Sequence, residues 1–364
     1  MATVRGMIFF KGAFLKGEVE YDKGVITDIR DCNLTAEEEK QYIIPGLVDI
    51  HTHGCAGHDT CDGDEAGLRE MLKYQREHGT TSYFPTTMTF FEDKLTDVVS
   101  VIKKVAETDK TLKGIYLEGP FISKEKCGAQ NPDFIMKPDV EMLRRLNKAS
   151  GGLCKFVAIA PEQEGAMECI KAGKDEFKFS IAHTTADFDT AKEAIDAGAN
   201  HITHFFNAMP GYTHRAPGVV GAAMDTEDIR IELITDGIHI HPAVVRNTFK
   251  HFGGDRVVLI SDSMEATGLT DGEYALGGQK VIVKGRLATL ENGTIAGSAS
   301  NLFDCMTQAI KMGVPREEAV KAATSTPAKE AGIFDKVGSL EIGKVADLLL
   351  LDENFNLKQV ITEA

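Results

Sequence analysis

Cysteines are few and widely spaced in this chain, with seven among 364 residues and no two separated as C-x-x-C. An odd number of cysteines without paired spacing argues against both a disulfide framework and a zinc knuckle. No apolar run approaches the ~18 residues that a membrane-spanning helix needs. Residues 1–7 contain no long apolar core before a cleavage-like site, so we expect no signal peptide. These absences favour the cytoplasm as the compartment.

Positive charge is also scarce, because 40 lysines and arginines are outnumbered by 55 aspartates and glutamates and the net charge is -15. This balance argues against nucleic acid or an anionic membrane surface as a partner. It still permits a small anionic substrate, since a pocket can be positive within an acidic protein. The 43% hydrophobic and 26% charged residues are ordinary for a globular protein, and the length suits one large domain with an appendage, or two domains.

Short β-like runs separated by turns fill residues 4–31, where glycines and an Asp-Lys-Gly turn at 22–24 indicate hairpins. This segment is too small to form a core of its own. The C-terminal part of the chain offers a partner, because residues 343–352 also read as a turn followed by a strand. We therefore predict a small β-sandwich domain that is built from residues 1–45 and 335–364.

Apolar, β-rich runs alternate with amphipathic helical patterns through the middle of the chain. The eight predicted strands cover residues 42–53, 80–87, 112–120, 155–161, 178–183, 201–209, 229–239 and 257–263. The connection at 210–228 is interrupted by glycine and proline, so we predict a long loop there. Eight strand–helix units predict a (β/α)8 TIM-type barrel over residues 46–334, with a β insertion near 271–297. A doubly wound open sheet is the alternative, but no G-x-G-x-x-G motif follows a strand.

Two histidines, His51 and His53, end the first predicted strand. Residues i and i+2 of a strand point to the same side, so both imidazoles can bind one transition metal. Active sites of (β/α)8 barrels lie at the C-terminal ends of the strands, so further ligands are expected there. Later strands end in the remaining candidates, Glu118, His183, His204 and Asp262. Nitrogen and carboxylate ligands without thiolate predict a site for zinc or iron.

A metal with an open coordination position lowers the pKa of its bound water toward ~7 and polarises a carbonyl group. Hydrolysis of an amide also needs a base for the water and an acid for the leaving nitrogen. One carboxylate beside the metal can serve as both in turn. Asp262, at the end of the eighth strand, is our candidate for this role, and the alternative reading is that it is a plain metal ligand.

Several strings in this chain resemble the N-acetylglucosamine-6-phosphate deacetylases, a family within the amidohydrolase superfamily. The similar strings are PGLVDIHTHG at 45–54, LEGPF at 117–121, HFFNAM at 204–209, TDGIH at 235–239, SDSM at 261–264, GTIAGS at 293–298 and GKVADL at 343–348. The resemblance implies hydrolysis of the acetamide of N-acetylglucosamine 6-phosphate to glucosamine 6-phosphate and acetate, in amino-sugar catabolism or recycling. The alternatives are a deacetylase for N-acetylgalactosamine 6-phosphate or another acylamino-sugar, and, from a different class, a non-catalytic sugar-phosphate-binding barrel.

The resemblance also implies roles for individual residues. The implied metal ligands are Glu118, His183 and His204 for one divalent ion, with His51 and His53 for a second. Asp262 matches the acid–base aspartate of the family. Some members of the family hold one ion and lack the His-x-His pair, whereas this chain keeps it. One or two ions per subunit, zinc or iron, therefore remain open.

The implied substrate-binding residues are Ala129, Gln130, Asn207, Ala208, Arg215, His239, Ile295, Ala296 and Gly297. Arg215 is implied to reach into the active site of a neighbouring subunit, which makes a homodimer the expected assembly. Gln130 stands where some relatives have a histidine that donates to the acetyl carbonyl. A glutamine amide can also donate to a developing oxyanion, so the implied activity is retained.

The other histidines are predicted to be surface residues or neighbours of the ligands rather than ligands. They are His58, His78, His201, His214, His241 and His251. His201 precedes His204 by three residues, which on a strand predicts that the two side chains lie on opposite faces. Cys55 and Cys61 are predicted to be small packing residues.

Overall fold

Between residues 47 and 260, the strands that form the barrel alternate with α-helices. The computed structural model describes residues 1–363. Its strands are β1 (Ala2–Phe10), β2 (Ala13–Asp22), β3 (Val25–Asp31), β4 (Tyr42–Pro45), β5 (Leu47–Thr52), β6 (Gly54–Cys55), β7 (His58–Asp59), β8 (Thr80–Thr87), β9 (Ile115–Leu117), β10 (Cys154–Ile159), β11 (Lys178–Ile181), β12 (His201–Ile202), β13 (Arg230–Ile234), β14 (Val257–Ile260), β15 (Gly272–Leu276), β16 (Gln279–Lys284), β17 (Leu287–Thr289), β18 (Leu348–Leu351) and β19 (Leu357–Ile361). Its α-helices are α1 (Glu65–Glu77), α2 (Glu92–Ala106), α3 (Val140–Ala149), α4 (Ala166–Gly173), α5 (Phe188–Ala197), α6 (Gly218–Met224), α7 (Pro242–Phe252), α8 (Leu302–Lys311), α9 (Arg316–Ala323) and α10 (Ser325–Glu330). None of the helices within residues 1–363 combines the length and the apolar character that crossing a membrane requires.

Eight parallel strands form one sheet in the order β5, β8, β9, β10, β11, β12, β13, β14. Just beyond the strand ends, the backbone amide of Asp262 donates to the carbonyl of His51 at 3.0 Å. The last strand therefore lies beside the first, and the sheet nearly closes. The predicted (β/α)8 barrel is confirmed, and the carboxyl ends of its strands meet at one rim.

The barrel interior is filled by the inward-facing side chains of the strands, and alternate residues face the helices instead. The inner cluster is formed by Val48, Ile50, Phe84, Tyr116, Phe156, Ala158, Ala182, Ile234, Val258 and Ile260, with Ala328, Ala331 and Val337 packed below them. In β5, for example, Val48 and Ile50 face inward, whereas Leu47 packs in the outer layer against the helices. This packed interior supports the rim where the candidate ligands lie.

Several local predictions differ from the structure, and the strand predicted at 201–209 is reduced to β12 (His201–Ile202). The strand predicted at 42–53 is divided at Gly46, so that β4 joins the small domain and β5 begins the barrel. A Cβ atom at Gly46 would lie 2.1 Å from Thr81 Oγ1, which shows how closely the two chain segments approach. The loop predicted at 210–228 is wrong in its second half, because α6 forms there. The small apolar residues of α6 are buried, and burial stabilises a helix that its glycines disfavour.

The small domain is a six-stranded sheet in the order β19, β18, β4, β1, β2, β3. The sheet curls until β3 meets the chain just before β18, where Val25 and Val345 form a bridge. The enclosed core consists of Ile8, Val19, Ile26, Ile43, Leu340, Ala346, Leu348 and Leu350. The predicted small β domain from both chain termini is confirmed, whereas the domain boundaries at 45/46 and 334/335 stay a prediction.

A second, smaller sheet follows the last barrel strand and brings a loop to the rim. Strands β15, β16 and β17 pair antiparallel. The chain then returns to the barrel, where the amide of Ser298 donates to the carbonyl of Asp262 at 2.7 Å. This contact holds residues 295–297 beside the carboxyl end of β14.

Candidate active site

Two groups of potential metal ligands lie at the carboxyl-terminal rim of the barrel, within the part of the chain that the structure describes. The first group consists of Glu118, His183 and His204, and the second of His51, His53 and Asp262. Within each group, the ligand atoms lie within 4.8 Å of one another, and all six residues are buried. The structure therefore brings together every metal ligand that the sequence predicts.

Glu118 joins the two groups. Its Oε1 lies 3.0 Å from His204 Nε2 and 3.2 Å from His183 Nε2. Its Oε2 lies 3.2 Å from His53 Nε2. Asp262 approaches from the other side, with Oδ1 at 3.3 Å from His53 Nε2 and 3.5 Å from His51 Nε2. The two carboxylates thus face a common cluster of four imidazoles.

The hydrogen bonds of the histidines test whether this cluster suits a cation. His183 Nδ1 lies 2.8 Å from the carbonyl of Lys126, which can only accept, so Nδ1 carries a proton and a neutral ring would present the lone pair of Nε2 to the cluster. That Nε2 faces His204 Nε2 at 3.1 Å. Within residues 1–363, the buried His51 Nε2 has no hydrogen-bond partner. Lone pairs converging beside carboxylates fit a divalent transition-metal ion.

Backbone strain marks three of these residues. The φ angles of His183, His204 and Asp262 are 42°, 25° and 48°, in the left-handed region that non-glycine residues rarely adopt. Hydrogen bonds from neighbouring backbone amides hold the carbonyl groups of all three residues in place. Strain of this kind costs on the order of 1–3 kcal/mol per residue and concentrates at functional sites. We infer that the strain is retained because it turns these side chains into the cluster.

The imidazoles keep both carboxyl groups ionised. Burial alone would raise the pKa of Glu118 and of Asp262, because it penalises the charged form. The histidines around Glu118 outweigh this and hold its pKa well below the ordinary value. His53 and His51 likewise lower the pKa of Asp262, although the charge of Glu118 opposes them. Asp262 is therefore available as a proton acceptor near neutral pH.

A cavity of about 510 Å³ opens over the cluster. The predicted substrate-binding residues that line it are Ala129, Gln130, Asn207, Ala208, His239, Ile295 and Gly297. Ala296 is buried beneath the cavity wall, where its amide donates to the carbonyl of Ala288 at 3.1 Å. Arg215 is exposed on the loop after β12 and is not part of the cavity lining. Lys126 and Thr294 also line the cavity, although neither is among the predicted substrate-binding residues.

Both polar atoms of the Gln130 side-chain amide form hydrogen bonds within the protein. Its Nε2 donates to Glu118 Oε2 at 2.5 Å, and its Oε1 accepts from the amide of Thr89 at 2.6 Å. The donor that the family resemblance assigns to the acetyl carbonyl is thus bonded to a candidate metal ligand. We infer that Gln130 supports Glu118.

We expect Gln130→Leu to weaken metal binding, because Glu118 would lose the donor that orients it. Loss of a partner of a metal ligand typically lowers affinity by about 10–100-fold. Competition with a chelator, followed by metal analysis, measures the change. Gln279→Leu is a matched control, since Gln279 donates to the carbonyl of Ala129 at 2.7 Å and contacts no ligand. Equal affinity in Gln130→Leu and the wild type would contradict the prediction.

His239 lines the cavity and is paired with a buried carboxylate. Its Nδ1 lies 2.8 Å from Asp236 Oδ2, and Asp236 also accepts from the amides of Ile238 and His239. Burial would lower the pKa of His239, but the hydrogen bond and charge of Asp236 raise it above the ordinary value. The sequence interpretation missed Asp236, although its place three residues before His239 at a strand end could have indicated the pair.

His201 and Glu232 form a second buried group below the cluster. Glu232 Oε1 lies 3.0 Å from His201 Nε2, and Glu232 Oε2 lies 2.9 Å from His51 Nδ1. The prediction that His201 and His204 lie on opposite faces is wrong, because β12 ends at Ile202 and the backbone turns left-handed at His204. Both side chains consequently belong to the barrel interior. The sequence interpretation missed Glu232, whose signal was an acidic residue inside an apolar strand.

Comparisons with known proteins bear on the whole chain. Residues 42–363 match the Amidohydrolase family. The N-acetylglucosamine-6-phosphate deacetylase of Bacillus subtilis (strain 168) is 39% identical over 320 residues, which cover 86% of this chain and 81% of that protein. The N-acetylgalactosamine-6-phosphate deacetylase of Escherichia coli O157:H7 is 32% identical over 346 residues, which cover 93% of this chain and 91% of that protein. A solved N-acetyl-D-glucosamine-6-phosphate deacetylase mutant from Mycobacterium smegmatis, in complex with N-acetyl-D-glucosamine-6-phosphate, has a TM-score of 0.94 at 29% identity and covers 99% of this chain and 97% of its own.

Proposed function

This chain belongs to the amidohydrolase family, and on that premise we propose that it hydrolyses the acetamide of N-acetylglucosamine 6-phosphate to give glucosamine 6-phosphate and acetate. One observation carries the proposal: an ionised Asp262 lies beside a complete set of metal ligands at the floor of a cavity that a sugar phosphate can fill. Relatives that carry the name of this deacetylase, at up to 39% identity, support the choice of substrate.

The family is metal-dependent, and the ligand set supports an assignment of residues to ions. In the proposal, Glu118, His183 and His204 hold one divalent ion, and zinc or iron suits their nitrogen and oxygen donors. His51 and His53 hold a second, with Glu118 between the sites, and the unpartnered Nε2 of His51 supports this choice. Metal bound here would polarise the acetyl carbonyl and lower the pKa of the attacking water.

Asp262 transfers the proton in this proposal. Its carboxylate lines the cavity and is ionised at neutral pH, so it can accept a proton and act as a base. It accepts the proton of the attacking water and returns it to the amine nitrogen as the carbon–nitrogen bond breaks. Without this return the leaving group would be an amide anion, so one carboxylate completes both halves of the reaction.

The phosphate of the substrate needs cationic and amide donors. In the proposal, His239, whose pKa Asp236 raises, binds the phosphate together with Asn207 and the backbone at Ala208. Arg215 completes the phosphate site of a neighbouring subunit in a homodimer. Its exposure on the loop after β12 supports this role.

Acetate release from the two epimeric substrates tests the proposed activity. Metal-loaded protein is incubated with N-acetylglucosamine 6-phosphate and, separately, with N-acetylgalactosamine 6-phosphate. We expect release from the first with the higher kcat/KM. The Escherichia coli relative makes the galacto epimer the second candidate, and faster release from it would favour that function. No release from either substrate, with metal bound, would overturn the deacetylase proposal.

Mixing two inactive variants tests whether Arg215 contributes to the active site of the neighbouring subunit. A dimer that combines an Arg215→Ala subunit with an Asp262→Asn subunit contains one site with both wild-type residues. Random assembly of an equal mixture should therefore restore about a quarter of the wild-type activity. Arg144→Ala is the control, because Arg144 is a surface arginine that pairs with Glu176 on the outside of the barrel. No recovery in the mixture would contradict the contribution of Arg215 across the dimer.

A further inference from the structure

We propose that Glu232 is a positioning residue for the metal ligand His51, and that a buried chain of charged side chains through the barrel holds it in place. This row of side-chain contacts runs from His51 through Glu232, His201 and Glu330 to Lys178 and Arg230 at the opposite rim. This inference rests on the proposed metal-dependent function.

A single oxygen of Glu232 contacts two of the ligand residues. Glu232 lies on β13 and is fully buried. Its Oε2 lies 2.9 Å from His51 Nδ1 and also accepts from the backbone amide of His204 at 3.1 Å. Rotation or loss of this carboxylate would therefore disturb the ring of one ligand and the main chain of another.

The contact with Glu232 selects one tautomer of His51. An ionised carboxylate can only accept, so His51 Nδ1 must donate and carry the ring proton. His51 Nε2 is then left with its lone pair, and it lies 3.5 Å from both Glu118 and Asp262. The other tautomer would direct an N–H group at the ion. Glu232 thus prepares His51 for ligation, in the way that carboxylates commonly orient metal-bound histidines.

The second oxygen of Glu232 is occupied by His201. The two ring nitrogens of His201 face carboxylates, with Nε2 at 3.0 Å from Glu232 and Nδ1 at 3.1 Å from Glu330. Both nitrogens can donate only if the ring is protonated. Burial opposes this charge, but the two carboxylates raise the pKa of His201 to about 9. The imidazolium therefore compensates the negative charge of Glu232 inside the barrel.

Two cationic side chains at the barrel rim opposite the active site complete this row of charges. Glu330, the last residue of α10, lies 3.2 Å from Lys178 Nζ and 3.4 Å from Arg230 Nε. Lys178 and Arg230 are the first residues of β11 and β13, at the barrel end opposite the active site. From Glu232 onward, the charges alternate in sign along this path. Interior positions of such barrels are usually filled by branched aliphatic residues. A row of charged side chains that ends at a candidate metal ligand therefore calls for a functional reason.

Metal affinity distinguishes positioning from a purely structural role. Full-length, metal-loaded Glu232→Ala, Glu232→Gln and wild-type proteins are dialysed against graded chelator, and zinc per subunit is measured. We expect Glu232→Ala to bind the ion at His51 about 10–100-fold more weakly. Glu232→Gln should recover part of the loss, because its amide oxygen can still accept from His51 and His204. Asp109→Asn is the control, since Asp109 is a buried carboxylate that pairs with Arg76 outside the barrel interior.

The tautomer of His51 provides a readout that does not depend on metal. In protein labelled with 15N-histidine, the ring nitrogen shifts should show His51 protonated at Nδ1 in the wild type and mixed in Glu232→Ala. If Glu232→Ala does not fold, Glu330→Gln replaces it, with a smaller expected loss of zinc affinity through His201. A folded variant that loses stability but keeps the zinc affinity and the tautomer of His51 would overturn the inference. Failure of the wild type to bind zinc would instead overturn the proposed function, and the tautomer would still decide the role of Glu232.

Discussion

Asp262→Asn should lower kcat by roughly 10²–10⁴-fold, the range typical for loss of a general acid–base group, while the protein still binds metal. Asparagine keeps the size and shape of the side chain but cannot accept the proton of the attacking water. Its amide can still occupy the position 3.3 Å from His53 Nε2. Steady-state assays of acetate release give kcat and KM, and elemental analysis of the same samples gives the metal content.

The combination of the two measurements separates the two readings of Asp262. A proton-transfer role predicts a large loss of kcat with KM and metal content nearly unchanged. A role as a plain metal ligand predicts that metal and activity are lost together. Asp347→Asn is a suitable control, because Asp347 is a buried aspartate that accepts from Thr362 near the small domain. Undiminished kcat in Asp262→Asn would rule out the proposed proton transfer.

Glu118→Ala is expected to abolish both metal binding and activity, with kcat/KM reduced on the order of 10⁴-fold or more. Glu118 is the residue that touches both ligand groups, with contacts of 3.0–3.2 Å to three histidines. Its removal leaves four imidazoles clustered without a shared carboxylate, so neither ion keeps its ligand set. Elemental analysis and acetate release measure the two losses.

Glu162→Ala provides the matched control for Glu118→Ala. Glu162 follows β10 near the same rim and accepts from the amide and hydroxyl of Thr185, yet it contacts none of the metal ligands. We expect this variant to retain its metal and most of its activity. If Glu118→Ala kept full metal content, or if both variants lost metal equally, the central role of Glu118 would be wrong.

Much of the site could be predicted because its ligands occupy equivalent positions along the chain. Each strand of a parallel barrel delivers its last residue to the same rim, so Glu118, His183 and His204 could be grouped without knowledge of any contact. His51 and His53 followed from the two-residue period of a strand. The predicted site residues line the cavity, apart from His51 and Ala296, which are buried, and Arg215, whose proposed site is in another subunit.

Other features depend on contacts between distant parts of the chain. Glu232 and His51 are 181 residues apart, and no local pattern links an acidic residue in β13 to a histidine in β5. The pairing of Gln130 with Glu118 likewise needs the loop after β9 to fold back over the rim. Helix α6 was missed because burial stabilises it against the preference of its glycines.

The sequence by itself determined the barrel and the small domain from both termini, and it singled out the candidate metal ligands and the candidate base Asp262. These follow from periodicity and strand ends, which are local properties of the chain. Only the tertiary structure decided which ring nitrogens of His51 and His183 face the cluster, which partners orient Glu118 and His51, and how charge is compensated inside the barrel. The reason is physical: a tautomer, a pKa and a buried ion pair depend on the groups packed around a side chain, and closure of the barrel brings those groups together from distant segments.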